Sequence, residues 1–216
     1  MNGKITTGEL RYEGFELNDL TMDYTLVNDI MTVTTKTGIF DGSFAQSLTV
    51  DAGNIHDLKV KSSLTMQRVE INRVISETKN WLSDESVLNR QLKKLDRHLY
   101  GKSNMSIEFV SHGGTTPELT KYLDGTVRAE LSNGRIAGGE LIERISKPLE
   151  KLKILTLDDI QFRTMKFTAR IKDEKVYLDD LYVGSPGTGE WNAEGVVGFN
   201  GSLGVDLTNR LPDGIS

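Results

Sequence analysis

A chain of 216 residues with a net charge of -5 and no cysteine excludes disulfides, thiolate nucleophiles and Cys-ligated metals together, and its scattered Lys and Arg offer no basic stripe for nucleic acid. Hydrophobic residues at 37% and charged residues at 26% are lean for a thick core but suit a sheet with one polar face. No apolar run approaches the ~20 residues needed to span a bilayer.

Residues 1–67 read as a meander of strands. Phe15 and Leu17, then Leu20, Met22, Tyr24 and Leu26, alternate with polar neighbours, and Asn18-Asp19 between the two sets predicts a bulge or bend that resets the face. Asn28-Asp29 and Asp41-Gly42 are turn dipeptides. Phe44, Leu48 and Val50 continue the alternation, as do Leu58, Val60, Leu64 and Met66. Short connections make such strands antiparallel neighbours.

The texture changes in residues 68–100. Ile71, Val74, Ile75, Thr78, Trp81 and Leu82 fall at helical spacing, and Ser83 or Asp84 caps a second helix with the stripe Val87, Leu88, Leu92, Leu95 and Leu99, closing at Gly101. The pair reads as a helical hairpin inserted into a β protein.

Residues 101–216 return to strands. Met105, Ile107 and Phe109 form one, and Pro117 at a first helical position opens a short helix. Within 123–141 the pattern predicts a strand, a tight turn at Asn133-Gly134, a second strand, and a helix start after Gly138-Gly139. That helix runs over about 140–152, with Pro148 expected to kink it. Phe162, Met165, Phe167, Ala169 and Ile171 lead to a turn at Asp173-Glu174, then Val176, Leu178, Leu181 and Val183. Val197, Phe199, Asn200-Gly201, Leu203, Val205 and Leu207 close as a hairpin. Phe15-Glu16-Leu17-Asn18-Asp19-Leu20 is echoed by Val176-Tyr177-Leu178-Asp179-Asp180-Leu181, which suggests a sheet extended by repetition. The expected class is mainly β with several helices (α+β): a twisted antiparallel sheet able to form a trough, with amphipathic helices packed on one face.

Groups for catalysis are sparse. His56, His98 and His112 share no motif and read as solvated surface residues, His98 on the polar flank of the second helix. Asp158-Asp159 and Asp179-Asp180 resemble calcium ligands, but adjacent strand residues point to opposite faces, which favours strand ends over a metal site. Neither 185–189 nor Gly138-Gly139 has phosphate-loop spacing. Trp81 and Trp191 are candidate interface anchors, with core packing the plainer role for Trp81. No catalytic, cofactor-binding or metal-ligating residue is assigned, and no enzyme activity is expected.

In order along the chain, Tyr100-Gly101-Lys102-Ser103, Gly113-Gly114-Thr115-Thr116-Pro117, Leu123-Asp124-Gly125-Thr126, Ser132-Asn133-Gly134-Arg135-Ile136-Ala137-Gly138-Gly139-Glu140-Leu141, Val176-Tyr177-Leu178-Asp179-Asp180-Leu181, Glu194-Gly195 and the closing Leu207, Asn209, Arg210 and Leu211 form one pattern. It resembles the C-terminal domain of AsmA-like envelope proteins, over about 100–211. The resemblance implies a periplasmic domain whose parent is anchored in the inner membrane of a Gram-negative bacterium. It also implies an apolar β groove that contributes to phospholipid transport or outer-membrane homeostasis, and no catalytic residue. The chain departs from the pattern in its 68–99 helical insertion and in lacking an anchor. Strand pattern starting almost at Met1, and a close at 209–216 without a cap, are expected of a piece cut from a longer protein.

The implied partner is a phospholipid or other acyl lipid. Exposing two acyl tails to water costs on the order of 20 kcal/mol, so a carrier must offer continuous apolar lining. Candidate lining residues are Met105, Ile107, Phe109, Val127, Ala129, Leu131, Phe167, Ala169, Ile171, Val197, Phe199, Leu203, Val205 and Leu207, for each of which ordinary core packing is the competing role. The alternative is a non-catalytic assembly module that caps a longer trough and docks an envelope membrane protein.

Overall fold

In the computed structural model, every strand among the described residues joins one open antiparallel sheet, in chain order. The structure describes residues 1–12, 14–81, 87–138, 159–200 and 202–211. The strands are β1 (Asn2–Tyr12), β2 (Phe15–Val27), β3 (Ile30–Ile39), β4 (Gly42–Asp51), β5 (Leu58–Glu70), β6 (Leu99–Gly113), β7 (Asp124–Ala137), β8 (Asp159–Lys172), β9 (Lys175–Ser185), β10 (Gly189–Gly198) and β11 (Leu203–Arg210). Helices α1 (Ile71–Trp81) and α2 (Val87–Leu95) connect β5 to β6, and α3 (Thr116–Lys121) connects β6 to β7. At ~4.8 Å between neighbours the sheet spans roughly 50 Å from edge to edge. The mainly β, antiparallel fold expected from the pattern is the fold observed.

Local chemistry explains the connections. Asn28-Asp29 and Asp173-Glu174 take the left-handed conformation at both positions, with φ of 49° and 63° and of 51° and 56°, which matches the right-handed twist of two-residue hairpins. The turn between β3 and β4 lies one residue earlier than the sequence suggests. Phe40 and Asp41 are its centre, with φ of 46° and 61°, because Gly42 is needed in β4: a Cβ there would lie 2.3 Å from the Gln67 carbonyl oxygen. Phe40 is buried against Phe15, and that burial offsets the strained backbone.

Three further differences arise inside strands. Asn133-Gly134 is no turn; β7 runs straight through it, and Asn133 (φ 48°) forms a bulge opposite Gly101 (φ 138°). Gly134 allows the Phe162 ring to lie over the backbone, where a Cβ would come within 2.4 Å of the ring. The second helix stops at Leu95, with the His98 N–H donating to Leu95 O at 3.0 Å, so Leu99 and Gly101 belong to β6. Trp191 and Ala193 lie in β10, whose first half alternates buried Trp191 and Ala193 with exposed Glu190, Asn192 and Glu194, a strand left unassigned from the sequence. The helix expected over 140–152 lies outside the described residues.

The expected bulge at Asn18-Asp19 is present, with Asp19 at φ 52° and a register shift against β3. Its echo at Asp179-Asp180 also marks a register shift, against both β8 and β10. A third shift, at Arg68 in β5 (φ 59°), is held by its N–H donating to Asn104 Oδ1 at 2.9 Å.

The core lies where α1 and α2 fold onto one end of one sheet face. Ile71 and Ile75 of α1 join Leu131, Met165, Val183 and Trp191, with Leu92 of α2 packed against them. A second cluster of Phe15, Ile39, Phe40 and Val69 meets Val74 of the same helix. An ion pair between Lys79 and Asp96 ties α1 to the turn after α2. Leu131 is 1% exposed, so Leu131→Ala should lower the unfolding free energy by about 3 kcal/mol, whereas Leu207→Ala, at 45% exposure, should cost less than ~1 kcal/mol. Urea titration of both variants measures the difference.

Candidate functional site

In an antiparallel sheet, residues directly opposite each other point to the same face, so the registers define rows across the whole molecule. One row joins Ile5, Met22, Thr35, Gln46, Leu64, Ile107, Val127, Ala169, Leu178, Gly195 and Val205, one residue from each strand. The next joins Gly3, Tyr24, Val33, Leu48, Ser62, Phe109, Gly125, Ile171, Val176, Val197 and Leu203. A third runs from Phe44 through Met66, Met105, Ala129, Phe167, Leu181 and Ala193 to Leu207. Leu131 belongs to a fourth, with Met165, Val183 and Trp191.

By backbone register, thirteen of the fourteen candidate lining positions therefore fall on one face, in four adjacent rows. Phe199 falls just past β10, half-buried, with its N–H donating to Glu174 O at 2.8 Å. Beyond those candidates the rows add Ile5, Met22, Tyr24, Val33, Leu48 and Leu64 from the first five strands. Their alternation is plain in the sequence, and only the register shows that it faces the same way.

Covering is uneven. Leu131, Met165, Val183 and Trp191, beneath or beside α1 and α2, are buried. Toward the opposite end, Ile107, Phe109, Val127, Ile171 and Val197 are half-buried, and at the two edge strands Ile5 is 52% and Val205 44% exposed. Between the end of α2 and the face of β8–β11 lies a cleft of about 250 Å³. Met165, Leu181, Val183, Trp191, Val205 and Leu207 form its floor, and Lys94 and His98 stand at its rim. Trp191 is fixed by its indole N–H, which donates to Thr188 Oγ1 at 2.9 Å.

His98 departs from its expected solvated place. Because α2 ends early, it lies in the following turn, half-buried, with Nδ1–H donating to Ala137 O at 2.6 Å. His112 is exposed and engages Asp57 Oδ1 through Nδ1 at 2.9 Å, and exposed His56 sits in the loop after β4. Among the described residues no group of three or more His, Asp or Glu side chains could hold a metal ion.

The opposite face is polar. Glu130 faces Lys166 at 3.5 Å, Asp124 faces Lys172 at 4.0 Å, and Arg170 holds Asp179 through two hydrogen bonds of 2.7 Å. Asp179 and Asp180 do not point to opposite faces as a regular strand would require. The bulge turns both toward the polar side, where Asp180 pairs in register with Thr168. Comparison with protein families, curated proteins and solved structures finds no match for this chain.

The hydrogen bonds from Arg170 hold the Asp179 carboxyl below the usual carboxylate range, and raise the Arg170 pKa in turn. A depressed carboxyl pKa contributes stability above the unfolded value and loses it as pH falls through the folded one. Titration followed by carboxyl NMR should show Asp179 moving up toward the ordinary range in Arg170→Gln, with the variant less sensitive to acid over that window.

Proposed function

We propose that this chain is a lipid-handling domain of AsmA type, in which the apolar face of the sheet holds acyl chains. The observation that carries the reading is the continuity of that face: four adjacent rows of mostly apolar side chains, two of them crossing all eleven strands, with α1 and α2 covering one end. A closed core needs no such reach. Ile5, Val205 and Leu207 stay exposed at the edges, whereas a core would end its apolar rows short of water. In this reading the cleft beside Trp191 takes part of a chain, and the uncovered rows take the rest. The setting that fits is the periplasm, with the parent protein anchored in the inner membrane and phospholipid moving toward the outer membrane.

A second reading, an assembly module that caps a longer trough and docks an envelope membrane protein, is favoured by one observation. Among the described residues the outer edges of β1 and β11 pair with no strand, so backbone donors and acceptors there are open to another chain.

The first reading is tested by titrating a fluorescent fatty-acid probe into the purified chain. Micromolar binding is expected, and Val205→Asp with Leu207→Asp should weaken it about tenfold or more, since each buries a charge under the acyl chain. Lys166→Gln on the opposite face should leave it unchanged. Absence of binding by the wild type overturns the acyl-groove reading.

A further inference from the structure

Several of the most exposed large apolar side chains gather at one end of the sheet. Val27 is 60%, Ile30 41% and Ile55 70% exposed. The first two flank the Asn28-Asp29 turn, and Ile55 lies in the loop between β4 and β5. The Ala52 N–H donates to Asp29 O at 2.9 Å, which joins that loop to the hairpin. On its other side the loop packs on the β6–α3 junction, where a Cβ on Gly114 would lie 2.7 Å from His56 O. Tyr122, just after α3, is 44% exposed and stacks on His112 with ring centroids 4.4 Å apart. Three separate connections thus make one continuous rim, with aliphatic tips and an aromatic ring beside them.

Cations stand directly behind it. Lys59 and Lys61, at the start of β5, line a shallow depression of about 360 Å³ together with Asp51, His112 and Tyr122. Neither lysine has an ion-pair partner among the described residues. Of the nearby carboxylates, Asp57 engages His112, Asp124 engages Lys172, and Asp51, opposite Lys59 in the register, accepts from the Gly53 N–H at 3.0 Å. Asp29 stays at the turn, where headgroup water can solvate it. Protein interfaces are depleted in lysine at their centres. Aliphatic tips with a tyrosine at headgroup level and lysines behind suit the boundary of a bilayer instead.

We propose that this rim docks the protein on an anionic phospholipid surface, with Val27, Ile30 and Ile55 entering the apolar boundary and Lys59 and Lys61 facing the headgroup phosphates. The inference goes beyond acyl binding and holds whether or not the sheet carries a lipid.

Co-sedimentation of the 216-residue chain with vesicles of phosphatidylcholine alone, or of phosphatidylcholine with phosphatidylglycerol, tests it. Binding is expected to the mixed vesicles and to fall as salt is raised. Lys59→Gln and Lys61→Gln should each weaken it about fivefold, and Val27→Asp with Ile55→Asp about tenfold or more. All four positions are exposed, so the urea midpoint should not move. The fatty-acid probe titration, run without vesicles, should be unaltered in these variants, which separates failure of the rim from failure of the groove. No sedimentation of the wild type with mixed vesicles, or equal sedimentation of wild type and variants, overturns the proposal. So does vesicle-free self-association that Val27→Asp with Ile55→Asp abolishes, which would assign the rim to a second copy of the chain.

Discussion

The structure depends on parity. A strand places alternate residues on opposite faces, so one inserted residue moves every later side chain to the wrong side. Eleven strands of eight to fifteen residues give many chances for that error, and long twisted strands need irregularities to stay in register. The bulges at Asn18-Asp19, Arg68 and Asp179-Asp180 convert those irregularities into corrections. In β2 the apolar set shifts from Phe15 and Leu17 to Leu20 and Met22, in β5 from Met66 to Val69, and in β9 from Val176 and Leu178 to Leu181 and Val183. Each shift coincides with a register slip, so the apolar side chains remain on one face before and after it. The repeated apolar-x-Leu-[Asn/Asp]-Asp-Leu unit is the sequence form of this correction, and it recurs near both edges of the sheet.

That constraint also explains what could be read from residues alone. Alternation in β2 and β8, and the turns at Asn28-Asp29 and Asp173-Glu174, carry their structure locally, because the responsible side chains and left-handed positions lie within a few residues of one another. Leu99 illustrates the opposite case. It sits four residues after Leu95, as a helix would have it, and four before Ser103 in a strand; only pairing of Leu99 with Ile136 decides between them. Asn133-Gly134 is equally ambiguous, since the same dipeptide closes a hairpin or forms a bulge, and the choice rests on Phe162 lying over Gly134 from the neighbouring strand. The cleft was invisible for the same reason. Its rim comes from residues 94–98 and its floor from strands as distant as β11, and no local window contains both.

A one-sided sheet carries a hazard that this one limits by composition. Exposed edge strands recruit other strands, and apolar faces recruit other faces. On β1 the edge carries Lys4, Glu9 and Arg11, with Arg11 drawn to Glu9 at 2.8 Å and to Glu16 at 3.6 Å. On β11 it carries Asp206 and Arg210. Such surface pairs add little stability, but they make indiscriminate edge pairing cost desolvation of charge. The polar face works similarly, with cross-strand ion pairs between β7, β8 and β9 setting its solubility rather than its fold.

The two ends of the sheet then have different physical characters. At the α1 and α2 end, packed side chains such as Leu131 and Trp191 give the stability, and rows there end in covered core. Toward the rim of Val27 and Ile55 the same rows run on less covered, and the last of them, Leu26, Met31, Val50 and Val60, ends at Ser111, while Val27 and Ile30 lie on the other face. An apolar face left partly uncovered toward one end is poorly suited to stand alone in water, because each exposed methylene there forgoes ~0.8 kcal/mol. It is well suited to meet an apolar phase at that end, and the anchoring helices lie at the other, where they leave the approach open.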